Sequence, residues 1–322
     1  MLYQLVNGIV STDGQKAIIL GINIDQETTT VTVLDISSNT PTITAHKIFN
    51  KIIKSVWTED EFWNYIEKDG GNWDSNVSQV KNSWDLEEVE TKRLDIEYFD
   101  FAARLSPSKE YLALSTFKGN KVKVFSTQDD KEIGSLNVEN TPYCNGISFS
   151  DDSNKLGYIA FDQAGGNIMY AEKQEGEFKT VFDLPKEQIS DDYSMNGIVN
   201  FDNEDLIATT VYTGSDFEFV KYNKSGDVIW KETLSESAVG ITDTEQMTNL
   251  IWNQLQINAV VKGKLYTGAG RQLLILDTKT GKHLESITFN QLSFIHQVLK
   301  VPQSNKLLLV DIFGIHSLYT PE

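Results

Sequence analysis

Short apolar runs recur along the whole chain, and clusters of Ser, Asp, Asn, Gly and Lys separate them. Short runs bounded by turn-forming residues, and rich in Val, Ile, Tyr and Phe, read as strands. Three stretches superimpose on one another. Asn7-Gly8-Ile9 leads through Ser11-Thr12-Asp13-Gly14-Gln15-Lys16 into the apolar run from Ala17 to Ile22. Asn145-Gly146-Ile147-Ser148-Phe149-Ser150 leads through Asp151-Asp152-Ser153-Asn154-Lys155-Leu156 into Gly157 to Phe161. Asn196-Gly197-Ile198-Val199-Asn200-Phe201 leads through Asp202-Asn203-Glu204-Asp205-Leu206 into Ile207 to Val211. Weaker copies of the same plan open at Phe101, Gln256 and His296.

Each unit is a strand, a polar turn and a second strand, usually with two more strands behind. The third and fourth strands are expected at 167–171 and 178–184 after Asn145, and at 217–222 and 228–233 after Asn196. They are expected at 272–277 and 283–289 after Gln256, and at 30–34 and 42–49 in the first unit. The turn Asn223-Lys224-Ser225-Gly226-Asp227 carries the residues that a tight hairpin demands. After His296 only three strands are legible, ending near Tyr319, which leaves a fourth to be supplied by the N-terminus.

Two stretches interrupt the plan. In residues 51–96, Thr58-Glu59-Asp60-Glu61 has the form of a capping box, followed by Phe62, Trp63, Tyr65 and Ile66. This predicts a short amphipathic helix that stops at Gly70-Gly71. Trp57, Trp63, Trp73 and Trp84 all fall in this stretch, either pinning an insertion to the body or offering an aromatic surface to a partner. In residues 241–255, Met247, Leu250, Ile251 and Leu255 recur at helical spacing behind Thr242-Asp243-Thr244-Glu245.

The repeat resembles the blades of β-propellers of the broad WD-repeat and YVTN type, which recur at about 40–45 residues. The resemblance rests on Ser150-Asp151-Asp152-Ser153-Asn154-Lys155-Leu156 and Leu276-Asp277-Thr278-Lys279-Thr280-Gly281-Lys282, without the Gly-His and Trp-Asp signatures of WD repeats. It implies a single all-β domain over residues 1–322, with six readable blades, or seven if 51–96 form a degenerate one. It also places the partly helical insertions 51–96 and 241–255 on one face, together with the openings of the inner strands.

Asn145-Gly146-Ile147-Ser148-Phe149-Ser150 is similar, more narrowly, to a metal-ligand motif of the gluconolactonase and senescence-marker family of six-bladed hydrolases. That family carries Asp-Gly in the next blade and Glu-Gly-Pro in its first. This chain has Asn196-Gly197 and Asn7-Gly8-Ile9 there, amides where a hard divalent cation gains most from charged oxygen.

Charge narrows the function classes. The 322 residues include 46 Asp+Glu against 28 Lys+Arg, a net −18, which repels phosphate backbones and argues against nucleic-acid binding. A single cysteine, Cys144, excludes an intramolecular disulfide framework, and the four histidines show no metal-ligand spacing. No apolar run is long enough to insert in a membrane and no secretory signal opens the chain, so a soluble cytoplasmic protein is expected.

No acid–base or nucleophile–base pair stands out. The expected function is therefore a non-catalytic, acidic binding scaffold without a cofactor, acting through the face that carries the insertions. Its candidate ligand-binding residues are Asn7, Asn145, Asn196, Gln256, His296, Trp63 and Trp73, and its partner a protein, a peptide or a neutral polar small molecule. Asn-Gly also marks plain turns, the competing reading of those positions. The alternative function is a divalent-metal hydrolase, lactonase-like, at the central opening. It would bind Ca2+ or another divalent cation through Asn145 and Asn196, with His296 as base.

Overall fold

The computed structural model describes residues 5–53, 56–68, 77–94, 99–116, 121–137, 143–162, 165–187, 195–212, 217–234 and 258–322. They form seven antiparallel sheets, the blades of a β-propeller. Blades 1 to 7 span residues 5–49, 56–94, 99–137, 143–187, 195–234, 259–288 and 295–319. Six have four strands in simple meander order, and blade 7 has three. The first strand of every blade lies innermost and touches the first strands of both neighbours. Contact between Ile295–Lys300 of blade 7 and Leu5–Val10 of blade 1 closes the ring.

Burial within a blade falls from hub to rim. In blade 1 the second strand, Lys16–Asn23, is buried along nearly its whole length, whereas the fourth, Thr42–Phe49, is mostly exposed. Inner strands are covered on both faces by neighbouring blades, so they read as continuous apolar runs instead of alternating ones. Each of the seven seams between blades holds its own apolar cluster.

The repeated Ser-x-Asp segment is a turn device. Ser11 Oγ donates to Asp13 at 2.6 Å and accepts the Lys16 N–H at 2.9 Å. Ser150 repeats this with Asp152 at 2.5 Å and the Lys155 N–H at 3.0 Å. Ser106 accepts the Tyr111 N–H at 3.1 Å in the same way. Gly14, Lys109 and Ser153 hold the left-handed position of these turns, at φ 70°, 66° and 62°.

Residues 56–94 are blade 2, which realises the seven-bladed form of the expectation. The helix expected from the capping box is absent: Val56–Thr58 and Phe62–Lys68 are paired strands, with Thr58 opposite Trp63. Thr58 Oγ1 donates to the Val10 carbonyl of blade 1 at 2.8 Å, so it caps nothing. The reason is two-sided burial. Trp63 and Tyr65 pack toward blade 1 while Ile66 packs toward blade 3, an alternation that only a strand provides. The expected helix within 241–255 lies outside the described residues.

The N-terminal strand does not complete blade 7. Leu5–Val10 pairs with Lys16–Asn23 as the inner strand of its own blade. The last blade stays three-stranded among the described residues.

Candidate functional site

Of the expected polar ring, the side chains described are those of Asn7 and His296. Asn7 is half-buried on the inner strand of blade 1, and its Oδ1 accepts from Gln297 Nε2 at 3.2 Å. The Gln297 Oε1 also accepts the Gly8 N–H at 2.5 Å. Gln297 thus occupies both atoms of its amide across the seam that closes the ring. His296 is 3% exposed, at a register shift between Ile295 and Gln297, and so sits in packed protein away from bulk water.

Asn145 and Asn196 lie within inner strands opposite Ile159 and Val211, so neither Asn-Gly is a hairpin turn. Gly146 takes φ 60° where the ladder of blade 4 shifts register, a bulge that suits glycine. Trp63 is fully buried in the seam between blades 1 and 2, donating Nε1–H to the Ser83 carbonyl at 3.0 Å. Gln256 and Trp73 lie outside the described residues. Among the described residues, no three His, Cys, Asp or Glu side chains converge as a metal site.

A different place has the geometry of a binding site. Between blades 2 and 3 an open groove of about 740 Å³ is floored by Trp57, Leu105, Leu112 and Phe125. That volume lies within the ~300–1,000 Å³ usual for ligand clefts. Its walls carry Glu59, Asp60, Glu61, Glu90 and Asp130 against Lys81, Lys92 and Lys109. Each lysine is already engaged. Lys109 bridges from blade 3 to Asp60 at 2.6 Å, Lys92 pairs with Asp130 across the same seam, and Lys81 pairs with Glu59 at 3.1 Å. Lys81 also stands 4.4 Å over the Phe62 ring. The hydrogen bond from Lys109, aided by one from Thr12, holds the Asp60 carboxyl below the usual carboxylate range. With five acids against three lysines, the groove presents more negative than positive charge.

The meander order puts first-to-second and third-to-fourth turns on one face of the disc. Glu59–Glu61, Lys109 and residues 126–130 belong to those turns, so the groove opens there. The strand ends that lead from one blade to the next lie on the other face. Sequence reading missed the groove because its walls are ordinary turn and outer-strand residues. The one signal was the acidic run Glu59-Asp60-Glu61, which it assigned to a helix.

No family model and no curated protein matches the chain. Solved structures do match over its whole length. A protein of unknown function from Desulfotomaculum acetoxidans DSM 771 is 14% identical with a TM-score of 0.59, over 100% of this chain and 91% of that one. Kuenenia stuttgartiensis hydrazine synthase is 13% identical with a TM-score of 0.64, over 99% and 95%. The Dos1 propeller is 11% identical with a TM-score of 0.61, over 98% and 77%. At these identities the likeness shows the fold alone, a β-propeller.

Proposed function

We propose that this propeller is a non-catalytic binding scaffold for a protein or peptide partner. The observation that carries the reading is the groove between blades 2 and 3, with its apolar floor and charged walls. An open cleft of this shape accepts an extended segment. Its excess of carboxylates, within a net −18 chain, selects a segment with basic side chains.

The test is affinity capture from native lysate with the wild type and with Glu90→Lys, a reversal of charge on an exposed outer-strand residue. A partner that is lost with Glu90→Lys, while the melting temperature holds, supports the reading. Capture equal for both proteins moves the site elsewhere, to the connection-bearing face first. Calcium-dependent turnover of a lactone, indifferent to the groove variant, would replace this function with the hydrolase.

A further inference from the structure

Among the described residues, blade 7 lacks what every other blade has, a fourth strand over the outer edge of its third. The third strands Thr28–Asp35, Val77–Ser83, Phe217–Tyr222 and Gln272–Asp277 are mostly buried, and Lys121–Ser126 of blade 3 is buried at Val122 and Val124. His316–Tyr319 of blade 7 is half-exposed at every residue. Its inner edge pairs with Leu307–Asp311, and its outer edge has no strand partner among the described residues.

The walls of this gap follow from register. Leu34 packs with Leu308 and Val310 of blade 7, so it marks the face of blade 1 that looks toward blade 7. Its partner Ile43 shares that face, as do His46 and Ile48, the partners of Thr32 and Thr30. Ile43 and Ile48 are 64% and 51% exposed. From blade 6, Ile275 packs toward blade 7, and its partner Glu285 shares that side. The carboxylates of Glu285 and Glu322 lie close enough to Tyr319 to add to the effect of burial in raising its phenol pKa. The gap is one strand wide, with an open strand edge as floor, two exposed isoleucines on one wall and Glu285 beside Ile287 on the other.

We infer that the outer edge of His316–Tyr319 is a strand-acceptor site, filled by an extended segment of a partner protein whose apolar residues alternate with basic ones. Backbone pairing supplies the affinity and the two walls supply the specificity. Apolar side chains on one side of the added strand cover Ile43 and Ile48, and basic ones on the other meet Glu285. The site adds a second binding mode to the scaffold and does not depend on the groove.

The experiment uses a fluorescein-labelled peptide of alternating valine and lysine, with an alternating valine and glutamate peptide as control. Binding is read by anisotropy, and the site by amide hydrogen exchange. The expected result is saturable binding of the lysine peptide with slowed exchange at Ser317–Tyr319. Glu285→Lys and Ile48→Lys, both surface changes, are each expected to weaken it about tenfold. Groove variant Glu90→Lys leaves it unchanged, so failure of either site is read apart from the other.

Protection elsewhere, or binding indifferent to Glu285→Lys and Ile48→Lys, overturns the inference. So does slow exchange at these amides in the monomeric protein alone, which would mean that the chain fills its own gap. Concentration-dependent dimerisation that protects the same amides overturns it in favour of a second copy.

Discussion

The side-chain amide of Gln297 accepts the backbone N–H of Gly8 at 2.5 Å, joining the last blade to the first. The approach is tight: a Cβ at position 8 would stand 3.0 Å from both Gln297 Oε1 and Leu299 Cδ1, and those side-chain ends would have to give by a few tenths of an ångström. Propellers must join their first and last blades, and here a fully buried amide contributes to that junction alongside the apolar cluster of the same seam.

Removing that amide strands a buried donor. Gln297→Ala is expected to destabilise by about 1–3 kcal/mol, the cost of leaving a backbone N–H without its acceptor. Urea unfolding measures it, with faster exchange of the Gly8 amide as the local readout. An unchanged midpoint would show that the seam is held by its apolar contacts alone.

Trp63 separates fold from function. It is fully buried, so Trp63→Ala is expected to cost about 3–5 kcal/mol through cavity formation and the lost bond to Ser83. Partner affinity of the folded fraction, measured at low temperature, should match wild type. Weakened binding by a fully folded variant would return Trp63 to the candidate site.

Lys221 ties blade 5 to blade 6. Its buried ammonium reaches Asp202 at 2.7 Å, Asp205 at 3.1 Å and the Thr278 carbonyl at 3.1 Å. Lys221→Ala strips Asp202, nearly buried, and Asp205 of their cation, for an expected loss of about 3–5 kcal/mol. Adding Asp202→Asn should recover part of that loss. If the double variant is no more stable than the single, the charge account is wrong.

Asp152 predicts one component of acid sensitivity. The Ser150 hydroxyl, then the Asn154 N–H and Lys155, stabilise its carboxylate and lower its pKa from 3.8 to about 2. A depressed carboxyl pKa contributes stability that is fully present above 3.8 and is lost as pH falls through about 2. The side chain is 51% exposed, and solvent screening keeps the contribution below about 1 kcal/mol. Asp152→Asn should therefore flatten the melting-temperature profile only within that acid window. Superimposable profiles would show that the turn draws nothing from the charge.

Much of the fold is legible along the chain. The strands at 167–171, 217–222 and 272–277 fall inside observed ones, because apolar runs between turn residues need only local chemistry to be recognised. The repeat of Ser150-Asp151-Asp152-Ser153-Asn154-Lys155 is legible for the same reason, since it is a self-contained turn.

Blade 2 was legible only as an alternative, a degenerate seventh blade in place of a partly helical insertion. Thr58-Glu59-Asp60-Glu61 satisfies a local helix rule, and only burial of Trp63 against blade 1 and Ile66 against blade 3 turns the segment into strands. The candidate site was least legible of all. Gln297 meets Gly8 across 289 positions of sequence, and Lys109 meets Asp60 across 49. The local sequence thus determined strands, turns and charge. Which residues face one another was decided by closure of the ring, because contacts between distant segments exist only once the seams have packed.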